Sequence, residues 1–301
     1  MAQLPLATEE INTQPACWRK AVDLAPGYHN LPKPGQRVGV IGCGTSWFMA
    51  MAYASLREAA GQGWTDAFTA SELPLDRGYD WVVAISRSGT TTEVAKALRE
   101  LRKRQPNTKT LAIVAVDQTP VTQAADHTVV LDFADEQSVV QTRFATTALA
   151  FLRTTLGEDL TQAVADCETA LATELDPLWI SAIQAAYLGK GWTIGLAQEA
   201  ALKMREASLS FTEAYPAMDY RHGPLALAEP GRYVWMFGEA PEGLKEQVEA
   251  TGAQWVSSTL DPMAHLVVAQ RVAIARGQAK GLDVDHPRHL TRSIILEPEQ
   301  A

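Results

Sequence analysis

The sequence predicts an α/β fold built on parallel sheets, and three observations carry the prediction. From about Gln36 onward, short apolar runs rich in β-branched residues alternate with helical patterns, the order of βαβ units. The runs are continuously apolar rather than alternating, which suits strands covered by helices on both faces. Glycine- and hydroxyl-rich turns follow several of them, where the chain passes from strand to helix.

Taken in order, residues 1–35 form an N-terminal segment without the basic start and continuous apolar core of a signal peptide. Residues 36–160 read as a first α/β unit. Arg37–Ile41 is an apolar strand ending in Gly42-Cys43-Gly44, and Trp47–Ala60 follows as a helix. Ala67–Thr69 is a weak strand and Asp80–Ile85 a strong one; Thr91–Arg104 is a helix; Thr110–Val116 and Thr128–Phe133 are two more strands. Glu136–Leu156 reads as one long helix. Residues 161–301 read as a second, shorter unit with a C-terminal tail. Leu160–Leu188 carries further helix broken near Pro177, and Gly189–Gly195 is a glycine-punctuated strand-to-helix turn. A helix is expected over Gln198–Ala207, and strands over Arg232–Phe237, Gln254–Ser257 and Ser293–Leu296. The two units share a layout and join near residue 160.

Composition bounds the function. The chain has 301 residues, 47% hydrophobic and 20% charged, which excludes a disordered, collagen-like or coiled-coil protein. A net charge of −9 makes it a poor binder of nucleic acid, since phosphate backbones repel it. Three cysteines, odd in number and far apart, give neither a disulfide framework nor a metal pair, so a cytoplasmic location is expected. The most apolar helix, Phe144–Leu156, is flanked by Arg143 and carries Arg153; it suits a buried core and no membrane span. No cofactor is expected: Gly42-Cys43-Gly44 lacks the third glycine of a dinucleotide fingerprint, and no phosphate-loop lysine follows a strand.

Two hydroxyl-rich turns carry the first chemical signal. Gly42-Cys43-Gly44-Thr45-Ser46 follows the first strand and Ser86-Arg87-Ser88-Gly89-Thr90-Thr91 the third. Ligands of open parallel sheets bind beyond the carboxyl ends of strands, and a helix start supplies free N–H donors. Serine and threonine are also ordinary helix caps. Two such turns with Arg87 between the serines favour a phosphate ester. Glu199, Lys203 and Glu206 form a second cluster, at i, i+4 and i+7 on one helical face. A solvated ion-pair face is the plain alternative. The small and apolar residues around them point instead to a buried helix, where such groups must be paired and tend to be functional. His222, in Tyr220-Arg221-His222-Gly223-Pro224, is a proton-transfer candidate, although a loop histidine is more often inert.

These motifs, together with the stretches Glu136–Thr147, Arg221–Leu227 and Asp283–Leu290, resemble the sugar isomerase (SIS) family, and most nearly the isomerase half of glucosamine-6-phosphate synthases. The resemblance runs from about residue 36 to 297. It implies two flavodoxin-like SIS subdomains, each a parallel sheet flanked by helices, and a hexose-6-phosphate ligand. It implies that Ser46, Ser86, Ser88 and Thr91 cradle phosphate, with Cys43 and Gly44 in the same turn, and that Arg87, where the family often has glutamine, strengthens anion binding. Thr45 and the backbone near Val139 match sugar contacts. Glu206 matches the base that moves a proton between C1 and C2, with Lys203 and Glu199 as its neighbours. His222 matches the ring-opening histidine that enters from a partner subunit, so a homodimer with shared sites is expected.

Two departures bear on the reaction. Only about 35 residues precede the first strand, so no glutaminase domain is expected. Near Arg292 the synthases carry a lysine that forms an imine; arginine stays protonated and is a poor imine former, so Arg292 is expected to stabilise an anionic oxygen and not to act as an amine nucleophile. The expectation is therefore an isomerase–deaminase acting on a hexosamine 6-phosphate. A deglycase and a non-catalytic sugar-phosphate sensor are the competing readings.

Overall fold

The structure, a computed structural model, describes residues 4–296; residues 1–3 of the N-terminal segment and 297–301 of the tail lie outside it. In the first unit, β1 (Val38–Gly42), β2 (Thr65–Thr69), β3 (Trp81–Ser86), β4 (Lys109–Val114) and β5 (His127–Val130) form one sheet. Its order is β2-β1-β3-β4-β5, and every pairing is parallel. In the second, β6 (Ala185–Gly189), β7 (Thr212–Pro216), β8 (Tyr233–Met236) and β9 (Gln254–Val256) form a parallel sheet ordered β7-β6-β8-β9. β1, β3, β6 and β8 are buried along their whole length, as their unbroken apolar runs require.

The helices are α1 (Leu6–Asn12), α2 (Gln14–Leu24), α3 (Thr45–Ala59), α4 (Thr92–Arg104), α5 (Pro120–Ala124), α6 (Arg143–Thr155), α7 (Thr161–Ala172), α8 (Pro177–Ser181), α9 (Thr193–Ser208), α10 (Leu244–Glu249) and α11 (Pro262–Ala279). One hydrophobic core joins α2, α3, α6, α9 and α11 with residues of both sheets, among them Trp18, Phe144, Tyr187 and Trp235. α3 and α9 follow the corresponding strands β1 and β6 and touch each other. At Gly195 a Cβ would stand 2.4 Å from the Phe48 carbonyl oxygen, so glycine is what lets the two helices approach.

Three expectations are corrected. Residues 136–142 are a loop, and α6 begins only at Arg143. The Glu136 carboxylate accepts from Thr142 N (2.6 Å), Arg143 N (2.8 Å) and Thr142 Oγ1 (2.9 Å). A side chain that captures these donors closes the loop and caps the helix behind it. The helix expected to run to Leu188 ends earlier, and Ala185–Gly189 is the central strand of the second sheet. A short apolar run covered on both sides has no period to separate strand from helix. Ser293–Leu296 is no strand; its backbone bonds go to the start of α4.

Other elements gave no readable signal. β7 is a half-exposed strand at the sheet edge. α11 is buried on most of its faces, so it shows no polar stripe. α1 and α2, in the segment expected only to precede the fold, place Ala7, Ile11 and Trp18 in the core.

Candidate functional site

The carboxyl ends of β1 and β3 lie side by side and open a cleft of about 200 Å³. Cys43, Gly44, Thr45 and Ser46 line it from the first turn, and Ser86, Arg87, Ser88 and Thr91 from the second. Gly89 turns the second with φ +66°, and a Cβ there would stand 2.2 Å from Thr119 Oγ1, so only glycine fits. Ser86 Oγ is buried with no hydrogen-bond partner among the described residues, which leaves an unused hydroxyl in the cleft wall. Thr90 Oγ1 lies 3.0 Å from Ser88 Oγ and 2.9 Å from Ser293 Oγ. Burial, with Glu93 nearby, pushes the Cys43 thiol up to about 11, so it stays protonated.

α9 brings the second cluster to the same cleft. Glu206 lines it, and Lys203 behind it donates to the Glu206 carboxylate and to Thr45 Oγ1 (3.0 Å). Glu199 is fully buried one turn deeper, with Oε1 3.6 Å from Lys203 Nζ. Burial works against the Lys203 charge, but Glu199 and Glu206 outweigh it and hold its pKa above the ordinary lysine value. Burial pushes Glu199 up to about 8; Lys203 opposes that shift and Glu206 adds to it. One carboxylate facing the cleft, one ammonium tying it to the first turn and one buried, protonated acid thus share a helix face.

The Glu199 shift has a measurable consequence. A carboxyl whose pKa is about 8 folded and near 4.5 unfolded binds the extra proton in the folded state. Its contribution therefore favours folding at low pH and is lost as pH rises from about 4.5 through about 8. Glu199→Gln, which keeps the shape of the protonated acid, should gain stability relative to the parent between pH 5 and pH 8, by a few kcal/mol at most. Denaturant midpoints at the two pH values measure it; a constant difference would refute the assignment.

Two expected cations do other work than foreseen. Arg87, expected to strengthen anion binding, lines the cleft. Its terminal nitrogens also donate to the carbonyls of Ser138 (3.0 Å), Val139 (3.3 Å) and Arg292 (2.7 Å), and it faces the buried Glu136 at 3.8 Å. The Arg292 side chain donates to the Glu136 carbonyl (2.9 Å) and pairs with Asp135, so it anchors the chain that crosses the cleft. Val139 lines the cleft. His222 does not: it is exposed on a short 3₁₀ turn of the second unit.

Gln141, Leu290, Thr291, Ser293 and Ile294 also line the cleft and were not foreseen; Arg292, which was, lies among them. The hydroxyl of Ser293 was readable only as part of a run misassigned as a strand. Among the described residues, no group of three or more His, Cys, Asp or Glu could hold a metal, and no helix is long and apolar enough to cross a membrane.

Two parallel sheets with a hydroxyl-lined cleft at adjacent strand ends define an open α/β protein whose helix starts α3 and α4 face one cleft. Residues 33–155 match the model of the SIS domain, and the fold of the described chain is like that of solved phosphosugar isomerases. It is 26% identical to the glutamine–fructose-6-phosphate aminotransferase (isomerizing) of Sulfurisphaera tokodaii over 88% of this chain and 51% of that one. The chain thus spans about half the length of that curated relative. A solved glucosamine-6-phosphate deaminase from Thermotoga maritima matches with TM-score 0.80 and 24% identity, over 96% of this chain and 100% of that one. The C-terminal domain of glucosamine-fructose-6-phosphate aminotransferase from Francisella tularensis matches with TM-score 0.76 and 22% identity, over 95% and 99%.

Proposed function

We propose that the protein is an isomerase–deaminase acting on a hexosamine 6-phosphate or a related amino-sugar adduct. The observation that carries this reading is the Glu206 carboxylate, set at the mouth of the hydroxyl cradle and bridged by Lys203 to Thr45. The phosphate sits among Ser46, Ser86, Ser88 and Thr91, and the open sugar chain extends past Thr45 and Val139 toward Glu206. Glu206 removes the C2 proton and returns it to C1. The resulting 2-imino sugar takes up water at C2, releasing ammonia and leaving a ketose phosphate. Lys203 fixes the Glu206 carboxylate, and nearby cations and N–H donors steady the anionic intermediate.

Arg292 in place of an imine-forming lysine supports the deaminating direction, because an amino sugar already carries its own nitrogen. The deaminase from Thermotoga maritima is covered from end to end, which supports the same direction. His222 acts from a second copy in a homodimer; the exposed Phe211, Met218 and Leu227 of the second unit offer apolar surface for that partner. We place the protein in the cytoplasm, with residues 36–160 and 161–301 as its two subdomains after the N-terminal segment.

A panel of hexose and hexosamine 6-phosphates tests the proposal, screened by thermal shift and followed by ammonia release and isomerisation. Ammonia formed from glucosamine 6-phosphate is the expected result. Binding without turnover would replace it with the sensor reading, and synthesis of glucosamine 6-phosphate from glutamine and fructose 6-phosphate would overturn it.

A further inference from the structure

The wall of the cleft that faces the sugar is a loop with no secondary structure, yet Glu136 and Ser138 within it are buried. Backbone donors and acceptors hidden from water need partners, so something must hold this loop. Glu136 closes its far end, and Arg87 holds the Ser138 and Val139 carbonyls. The N–H side of the loop is held by a residue far away in sequence. Glu10, on α1 and only 5% exposed, accepts from Gln137 N (2.6 Å), from Ser138 N (3.2 Å) and from the Ser138 hydroxyl.

We propose that Glu10 is a positioning residue that sets the sugar end of the cleft by fixing the 137–141 loop. The inference rests on reading the cleft as a sugar-phosphate site. Glu10 does not line the cleft itself; it acts through Val139 and Gln141, which do. Gln141 Nε2 is buried there with no hydrogen-bond partner among the described residues, a donor suited to a sugar hydroxyl. A second tie joins the same two parts. The Asp285 carboxylate accepts from Leu6 N and Ala7 N at the start of α1, each at 2.9 Å, and its carbonyl accepts from Val139 N at 2.9 Å. The Asp283–Leu290 motif, which supplied no catalytic group, thereby anchors both α1 and the loop. The phosphate end hangs on different elements, the starts of α3 and α4. Loss of Glu10 should therefore separate the two ends of the ligand.

Calorimetric titration of the full chain with fructose 6-phosphate and with inorganic phosphate reads that separation. Glu10→Ala should weaken fructose 6-phosphate at least about tenfold, the scale at which small displacements matter in a site, and leave inorganic phosphate unchanged. Glu10→Gln keeps an acceptor for the loop N–H groups and should restore most of the affinity. Equal affinity for fructose 6-phosphate in Glu10→Ala and the parent would overturn the inference, and so would a parallel loss of both ligands, which marks a general collapse. A parent protein that binds inorganic phosphate but no hexose 6-phosphate would instead overturn the sugar-phosphate reading, and this inference with it. Should Glu10→Ala fail to fold, Asp285→Asn carries the same comparison with the same overturning result.

Discussion

Glu206→Gln should abolish turnover while sugar-phosphate binding survives. The amide has the shape of the acid and can still accept from Lys203, which now donates to the carboxylate. It cannot take up a proton. A positioned general base contributes about 10²–10⁴-fold, so a loss of at least that size is expected in kcat. The cradle of Ser46, Ser86, Ser88 and Thr91 belongs to other strand ends and other helices, so the affinity for phosphate esters should stay where it was. Ammonia release and calorimetry on the same preparation make the comparison. Full activity in this variant would move the base elsewhere; lost binding would mean that Glu206 holds substrate.

Lys203→Met should be the most damaging single change to stability. The ammonium is 1% exposed and stands between two carboxyls, neither of which has another neighbour of opposite charge within 4 Å among the described residues. Removing the ammonium leaves the Glu206 carboxylate with no opposite charge and the buried Glu199 acid with no cationic neighbour, a loss of up to about 3–5 kcal/mol. Adding Glu199→Gln to Lys203→Met should recover part of it at alkaline pH, where Glu199 would otherwise be a buried carboxylate and the amide carries no charge. Denaturant unfolding of the parent, the single and the double variant forms the cycle. Strict additivity of the two changes would mean that Glu199 and Lys203 do not interact.

The balance between what was legible and what was not follows from the range of each signal. The strands, the two hydroxyl turns and the Glu199-Lys203-Glu206 face depend on neighbours within a few residues, and local pattern is what a sequence displays. The apolar residues around Lys203 told that its helix is buried, and hence that its charges must answer one another. The strand at Ala185–Gly189 and the helix Pro262–Ala279 were obscured for the opposite reason. Burial on nearly every side removes the polar stripe that would reveal a period. The Glu136–Arg143 region had the composition of a helix, but a carboxylate took the N–H groups that would have continued it.

Which cation faces the ligand was beyond the sequence altogether. Arg87 stands between two serines of a phosphate-like turn, and its neighbours alone imply an anion contact. Only the folded chain brings the Ser138, Val139 and Arg292 carbonyls within reach of its guanidinium and turns it into a clamp. The same holds for Glu10, more than a hundred residues from the loop it fixes. By itself the sequence determined the parallel α/β architecture, the hydroxyl-rich turns at the strand ends and the Glu199-Lys203-Glu206 face of one buried helix, because hydrophobic period, turn chemistry and side-chain spacing act locally. The tertiary structure alone decided which polar groups remain free for a ligand and which are consumed in holding the cleft, because hydrogen bonds are made by proximity in space and each donor is used where burial leaves it no water.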